Sequence, residues 1–236
     1  MGMFTRCQRQ YRFRYLEGLK MPPNVAMVKG TGLHGGAEVN YKQKVETCED
    51  LPEDDVLEAT ADKFDEASES IDDWTEERGQ ALDATIGAAK MYHAELAPTV
   101  QPVESEGFVE LAAPGWKWKV IGYVDVETES SVIDIKMSGK RKSQGDVDRS
   151  LQGEFYMAAT GKGEFSFHVV TPKATQVLDR VEPSNLTRTI ERIEGIQNCI
   201  DTAIKTDTFA PAAEGSWACS ERFCGYWNLC VYGGRQ

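Results

Sequence analysis

The most restrictive feature of the sequence is a pair of β-like runs that are each interrupted by charged side chains. In Val132-Ile-Asp-Ile-Lys136, side chains alternate between two faces, so Asp134 and Lys136 project from one face while the isoleucines enter the opposite layer. Only Glu127–Ser131 separates this run from an earlier one that ends at Asp125, and that length is typical of a hairpin. The sequence therefore predicts a hairpin on which two carboxylates and an ammonium group converge.

The earlier run alternates as well. One of its faces carries Trp116, Trp118, Val120 and Val124, and the other carries Ile121, Tyr123 and Asp125. Three glutamates precede it at alternate or near-alternate positions of a β-like stretch, namely Glu104, Glu106 and Glu110. One of them could supply a further carboxylate to the cluster, and the sequence does not distinguish among the three.

This cluster suits metal-assisted hydrolysis. Two acids can hold Mg²⁺ or Mn²⁺, and the metal together with Lys136 would lower the cost of hydroxide attack on a phosphate. The alternative is a surface hairpin with a solvated Asp134 and Lys136, which is the commoner origin of a bare Asp-x-Lys motif. Because the acids interrupt apolar strands, and buried acids and lysines require a partner or a metal, the pattern favours the metal site.

Length and composition are consistent with an intracellular α/β protein. The 236 residues suffice for a large core, and we expect a single domain, residues 1–236, with a central mixed β-sheet flanked by helices. No run of 18 apolar residues occurs and the start is Arg-rich, so we expect no membrane segment and a cytoplasmic location. Six cysteines are too few for a disulfide scaffold, and their grouping suggests ligation in a reducing compartment.

The net charge of −12 is unevenly distributed. Residues 46–77 contain fifteen acids and one base, so the remainder of the chain is close to neutral. This stretch belongs to a predicted acidic helical insertion, residues 46–98, whose outer face is either solvated or recognised by a protein partner. In contrast, Lys140, Arg141 and Lys142 form a basic loop just after Lys136, and we expect this loop to meet a phosphodiester backbone.

Helical periodicity surrounds the β-like runs. A helix is predicted over 4–18, where arginines separate an apolar stripe and form either a solvated or a DNA-facing surface. A second helix opens at the glycine-rich segment around His34, which lacks the Gly-Lys-Ser/Thr of a nucleotide triphosphatase. A lone histidine is more often structural than a ligand. A later helix, 148–161, places Gln152 and Tyr156 one turn apart on the same face.

The C-terminal tail, residues 216–236, contains Cys219, Cys224 and Cys230 within twelve residues. A tetrahedral metal or a cubane cluster requires four sulfurs. Cys7 is the best candidate for the fourth, because Cys48 lies in the acidic stretch and Cys199 within a helix. Zinc and iron–sulfur cannot be separated by this spacing.

Taken in order, five motifs resemble those of the PD-(D/E)XK nucleases of the RecB-like branch, especially the four-cysteine CRISPR-associated and phage-encoded exonucleases. The motifs are Cys7 with its following aromatic residue, Gly30-Thr-Gly-Leu-His34, Gly122-Tyr-Val-Asp125, Asp134-Ile-Lys136 and Gln152-Gly-Glu-Phe-Tyr156. Each motif is weak singly, but their shared order is specific.

The resemblance implies a role for each residue. His34, Asp125, Asp134 and the carbonyl of Ile135 would bind Mg²⁺ or Mn²⁺, and Lys136 would position or activate water. Gln152 and Tyr156 would organise the site and the DNA. The four cysteines, Cys7, Cys219, Cys224 and Cys230, would hold a [4Fe–4S] cluster, with zinc as the alternative, and would join the tail to the N-terminal helix.

The expected activity is a metal-dependent DNA exonuclease that acts on single strands or duplex ends in a bacterial or phage-infected cell. A structure-specific endonuclease is an alternative within the same chemistry. The alternative from another class is a non-catalytic DNA-binding or adaptor protein with a structural metal site.

Overall fold

The computed structural model describes residues 1–71, 74–181 and 186–233, with only the backbone of Leu186. Residues 234–236 of the predicted tail, and two acids of the predicted insertion, therefore lie outside the described residues. The helices are α1 (Gly2–Arg6), α2 (Gln8–Tyr11), α3 (Val25–Thr47), α4 (Glu53–Ser68), α5 (Arg78–Glu95), α6 (Gln144–Asp148), α7 (Leu151–Thr160) and α8 (Leu186–Thr206). The strands are β1 (Glu104–Leu111), β2 (Val120–Glu127), β3 (Ser131–Met137), β4 (Glu164–Thr171) and β5 (Ala174–Val181).

The chain divides into two compact units. Residues 22–186 form one, here called the sheet unit. The two ends of the chain, 1–21 and 187–236, form the other, here called the terminal unit.

The sheet unit contains a five-stranded mixed sheet with the strands in chain order. Only β3 and β4 run parallel, and the other neighbours are antiparallel. A parallel pair needs a crossover connection, which α6 and α7 supply. The predicted α/β class with a central mixed sheet is therefore confirmed. The first run differs from prediction at its start, because β2 begins at Val120 and leaves Trp116 and Trp118 outside the strand.

One face of the sheet is covered by α3 and α5. As alternation predicts, Ile133 and Ile135 of β3 enter the core on this face, where they join Val126 and side chains of both helices. The helical contributors include Leu33, Ala37, Tyr41, Ala88, Ala89 and Tyr92. The hydroxyls of Tyr41 and Tyr92 hydrogen-bond each other at 2.8 Å, so two buried polar groups satisfy one another within this layer.

The acidic segment 46–98 contributes to this core. Its second helix, α5, supplies several of the buried residues above, and its first helix, α4, buries Val56 and Phe64. The carboxylates lie on the opposite side of α4, where Asp54, Asp55, Glu58, Asp62, Asp65, Glu66 and Glu69 are exposed. The segment is thus apolar where it packs and acidic where it meets solvent.

Glycines bring α3 and α4 close together. A Cβ at Gly36 would lie 2.1 Å from Thr60 Oγ1 and 2.9 Å from the carbonyl oxygen of Val56. A Cβ at Gly32 would lie 3.2 Å from the carbonyl oxygen of Thr60. The glycine-rich character of this helix therefore serves the approach of a neighbouring helix backbone.

The terminal unit joins the first turns of the chain to its tail. The predicted helix over 4–18 is interrupted, because Cys7 adopts an extended conformation between α1 and α2. Within this unit the side chain of Gln10 donates to the carbonyl of Ala218 at 3.1 Å, and the Tyr226 hydroxyl donates to the carbonyl of Leu19 at 2.8 Å. The stacked rings of Phe13 and Tyr226 add an apolar contact. No helix in the described part of the chain is both long and apolar enough to cross a membrane.

Two glycine substitutions in α3 test the close helix contact. We expect Gly36→Ala to lower the free energy of unfolding by roughly 1–3 kcal/mol, because the new methyl group meets a backbone carbonyl and a branched side chain. Gly30→Ala is the matched control: no atom lies within 4 Å of its Cβ position, so the better helix propensity of alanine should raise stability by up to about 1 kcal/mol. Urea unfolding followed by circular dichroism measures both, and equal stability of the two variants would contradict the tight contact.

Candidate active site

The site forms where β2 and β3 separate. Their pairing consists of Val126 with Ile133 and Glu127 with Val132, and it ends before Asp125. Beyond this point the Asp125 carboxylate takes the place of a backbone acceptor, because its Oδ2 accepts the Ile135 N–H at 2.7 Å. A side chain thus satisfies a backbone donor that the fork would otherwise leave unpaired.

Asp134 lies next to this fork and is buried. Its side chain is 2% exposed, and the Lys136 ammonium lies 2.5 Å from its Oδ2. Burial raises the pKa of Asp134 to about 6, and the charge of Asp125 acts in the same direction while Lys136 and His34 oppose it. The interpretation as a solvated surface hairpin therefore does not fit this geometry.

His34 reaches the fork from α3. Its Nδ1 lies 3.5 Å from Asp125 Oδ2. Burial alone would lower the pKa of His34, but the hydrogen bond and the negative charge of Asp125 outweigh burial and raise it. The imidazole and the Asp125 carboxylate, predicted from separate segments of the sequence, are thus in contact, and Asp134 is close enough for its charge to raise the pKa of His34 as well.

A third carboxylate belongs to this group. Ser105 pairs with Val126 and Gly107 with Val124, so Glu106 of β1 stands opposite Asp125 in the register. Ligand atoms of His34, Glu106 and Asp125 all lie within 4.8 Å of one another. Of the three glutamates that the sequence left open, Glu106 therefore lies at the site.

Glu106 has two unusual properties. Its backbone is in the left-handed region, with φ at 55°, which costs a non-glycine residue about 1–2 kcal/mol. Burial raises the pKa of its carboxyl group, and the negative charges of Asp125 and Glu38 raise it further. Only the antiparallel register of β1 and β2 would have selected this glutamate in advance.

Gln152 and Tyr156, the predicted pair on α7, hold the backbone of β2. Gln152 donates to the Tyr156 hydroxyl at 3.0 Å, and that hydroxyl donates to the carbonyl of Tyr123. A Cβ at Gly122 would lie 2.8 Å from the Phe155 ring and 3.1 Å from the Tyr156 ring. The glycine of the Gly-x-x-Asp motif therefore lets α7 pack against the strand that carries Asp125.

The basic loop follows β3. Lys140 and Arg141 are exposed and Lys142 is half-buried. The backbone of Lys142 exchanges hydrogen bonds with the side chain of Gln176, which ties the loop to β5. The two long cationic side chains thus project into solvent from an anchored loop.

The other two histidines lie outside this group. His93 hydrogen-bonds the carbonyl of Leu51 at 2.9 Å. His168 is buried on β4, and its Nδ1 lies 3.3 Å from the Tyr92 hydroxyl. Burial lowers the pKa of His168 to about 4, so it is neutral near pH 7 and belongs to the core.

The four cysteines of the predicted cluster line one pocket within the terminal unit. Cys7 and Cys224 are buried, Cys219 and Cys230 are half-buried, and the pocket also includes Gln10. The Gln10 amide donates to Cys224 Sγ at 3.2 Å. Burial raises the pKa of the Cys219 thiol, and the other three thiols add to this effect. The remaining two cysteines of the chain, Cys48 and Cys199, are exposed.

The chain is similar to known proteins in sequence and in fold. The family model of the PD-(D/E)XK nuclease superfamily matches residues 2–231. A candidate exonuclease of Eubacterium rectale, known from a crystal structure, has a similar fold. The alignment has a TM-score of 0.57 and 15% sequence identity, and it covers 90% of this chain and 80% of the other chain. The structure of SSO0001 aligns over 100% of this chain and 98% of its own at a TM-score of 0.43 and 15% identity. No curated protein matches the sequence. The chain belongs to the PD-(D/E)XK nuclease superfamily.

Proposed function

We propose that this chain is a metal-dependent DNA exonuclease that acts on single strands or duplex ends. The observation that carries the proposal is the convergence of His34, Glu106 and Asp125 beside the ion pair of buried Asp134 with partly exposed Lys136. A purely structural surface hairpin has no need of one buried and several partly buried ionisable groups in one place, because desolvating each of them costs free energy.

The residues present fit a divalent cation. Carboxylate and carbonyl oxygens with one imidazole suit Mg²⁺ or Mn²⁺. The raised pKa values of Asp134 and Glu106 reflect burial and, for both groups, repulsion by the charge of Asp125, which a cation would offset. We assign Asp125, Asp134, His34 and the Ile135 carbonyl as ligands, as the family resemblance implies, and add Glu106 on the geometry of this chain. When bound, the metal would lower the pKa of a water molecule and offset charge on the scissile phosphate.

The protein groups then have separate tasks. Lys136 would hold the attacking water and stabilise negative charge, and Asp134 would keep the ammonium in place through their ion pair. Gln152 and Tyr156 would act as positioning residues, because they hold the backbone of β2 two residues before Asp125.

The charge distribution favours one approach for DNA. Lys140 and Arg141 project from the loop that follows Lys136, so they can bind phosphates next to the reacting one. The exposed acids of α4 repel a phosphodiester and leave that face to solvent or a protein partner. Thiolate ligation requires a reducing compartment, so we expect the protein to act in the cytoplasm.

Cleavage of labelled linear and circular DNA tests the activity. With Mg²⁺ or Mn²⁺ we expect the wild-type protein to degrade end-labelled linear strands and to leave circular single strands intact, because an exonuclease needs an end. Asp134→Ala should lower the rate on the order of 100-fold or more, since it removes a metal ligand and the partner of Lys136. The matched control is Asp62→Ala, an exposed acid on α4, which should retain the wild-type rate.

Other outcomes of that assay support the alternatives. Cleavage of the circle would identify an endonuclease. Binding without cleavage, with wild type and Asp134→Ala behaving alike, would identify a non-catalytic DNA-binding or adaptor protein.

Glu106 gives a second prediction, in which stability and metal binding change in opposite directions. Glu106→Gly should raise the free energy of unfolding of the metal-free protein by about 1 kcal/mol, because glycine tolerates a positive φ. The same change should weaken Mn²⁺ binding by about 10-fold or more in isothermal titration calorimetry. Glu106→Gln should also weaken binding. Glu110→Gln is the control on the same strand, where the carboxylate pairs with Lys119, and it should bind Mn²⁺ as wild type does. Unchanged affinity in both Glu106 variants would remove it from the ligand set.

The pocket lined by four cysteines offers enough sulfur ligands for a cubane cluster or for a tetrahedral zinc ion. As the family resemblance implies, we propose that Cys7, Cys219, Cys224 and Cys230 hold a [4Fe–4S] cluster, with zinc as the alternative, and join the chain ends within the terminal unit.

Spectroscopy and metal analysis of anaerobically purified protein test the cluster. We expect a brown protein that absorbs at about 400 nm and contains iron. Cys224→Ser should lose the colour and lower the melting temperature, because a bound cluster adds its binding free energy to folding. Cys199→Ser, at an exposed cysteine of α8, should keep both. A colourless wild-type protein with stoichiometric zinc would overturn the assignment.

A further inference from the structure

Two aromatic rings on the β1–β2 hairpin are directed to solvent. Phe108 of β1 and Tyr123 of β2 are register partners, and their side chains are 55% and 58% exposed. The next residue on each strand, Val109 and Val124, is buried. The ring centroids are 5.6 Å apart with an interplanar angle of 65°. Ile121, 60% exposed, extends the apolar surface along β2. We call Phe108, Tyr123 and Ile121 the hairpin platform.

The platform adjoins the candidate metal ligands. Tyr123 lies two residues before Asp125, and Phe108 lies two residues after Glu106, which stands opposite Asp125. Two residues of a strand span about 7 Å. A strand of DNA whose phosphate lies at the acids therefore has its neighbouring nucleotide within reach of the rings.

The backbone beneath the platform is held while its rings stay free to bind. The Tyr123 carbonyl accepts the Tyr156 hydroxyl, and Gly122 packs against the Phe155 ring. Exposed apolar groups on an outer strand such as β1 favour association with other chains, so folded proteins usually replace them with charges. A rigid strand that displays aromatic rings instead is typical of a binding surface.

We infer that the hairpin platform stacks an unpaired base of the substrate strand next to the scissile phosphate, an inference that rests on the proposed function. Every base has a π-face, so stacking on an aromatic ring recognises single-stranded nucleic acid without regard to sequence. Paired bases in a duplex are not available for such a contact. The platform would therefore select single strands and frayed duplex ends over intact duplex.

Continuity with the acids identifies the occupant. A protein ligand or a second copy of the chain would cover the platform and also obstruct the path to Asp125 and Glu106. Under the proposed function, the nucleotide next to the scissile phosphate has this space within its reach, because the rings lie two strand residues from the acids. We therefore assign the platform to the substrate, and association with another chain becomes an outcome of the test.

Binding of fluorescent oligothymidine, measured by anisotropy with Ca²⁺ in place of Mg²⁺, tests the inference. Tyr123→Leu keeps an apolar side chain but removes the ring, and we expect about 5- to 100-fold weaker binding. Phe108→Leu should act in the same direction. Tyr123→Phe is the matched control, because it keeps the ring, and it should bind as wild type does. All three variants should have the melting temperature of the wild-type protein, since neither ring is in the core.

A strand that carries abasic sites separates stacking from other contacts. Wild type should bind the abasic strand more weakly than oligothymidine, whereas Tyr123→Leu should bind the two strands alike, because the ring and the base form one interaction. If Tyr123→Leu binds oligothymidine as tightly as wild type does, or if both proteins respond equally to base removal, the inference is wrong. It is also wrong if the DNA-free wild-type protein sediments as a dimer and Tyr123→Leu as a monomer.

This assay separates the platform from the proposed activity. A ring-dependent affinity in a protein that cuts no DNA would reject the exonuclease and retain the binding surface. If the protein cleaves linear DNA but the ring variants bind oligothymidine as tightly as wild type does, the exonuclease activity is retained and the platform is rejected.

Discussion

The hydrogen bond from the Ile135 N–H to the Asp125 carboxylate holds the candidate site together, because it closes the fork between β2 and β3. If the two strands continued their pairing, Asp125 and Asp134 would be ordinary cross-strand neighbours and their like charges would repel. The fork instead directs Asp125 toward His34 and leaves Asp134 buried against Lys136. A local departure from regular sheet structure thus creates a pocket of carboxylates with the His34 imidazole on one side and the Lys136 ammonium on the other.

The pocket of carboxylates costs free energy to form, and the rest of the sheet unit offsets that cost. Asp134 is buried, Glu106 adopts a left-handed backbone conformation, and the pKa values of both are raised. Each of these features costs free energy in the folded state. The layers above and below offset the cost: α3 and α5 cover one face of the sheet with a continuous apolar core, and α7 holds β2 through Tyr156. Glycines in α3 let α4 approach closely, which fixes the helix that carries His34.

Charge and apolar exposure divide the surface of the sheet unit into regions with different tasks. The outer face of α4 is acidic, the loop after β3 is basic, and the hairpin platform is aromatic. Under the proposals made above, the basic loop would bind phosphates and the hairpin platform would stack bases. In the terminal unit, four thiols from the two ends of the chain face a common pocket, so a bound cluster would stabilise segments that are far apart in sequence.

Alternation and motif order by themselves determined the mixed sheet, the orientation of Ile133 and Ile135, and the group of Asp125, Asp134 and Lys136, because the period of a strand assigns each side chain to a face. The choice of Glu106 over Glu104 and Glu110 depended on tertiary structure, since it follows from the pairing register of β1 and β2. The left-handed backbone conformation of Glu106 is also not encoded by the local sequence. The extended conformation of Cys7 within a helical pattern and the start of β2 at Val120 were likewise seen only in the tertiary structure. The burial of Asp134 was likewise visible only in the tertiary structure, because the Asp-x-Lys motif has the same sequence on a solvated hairpin as in a buried active site. The sequence specifies which side chains can come together, and tertiary packing decides which of them are removed from solvent.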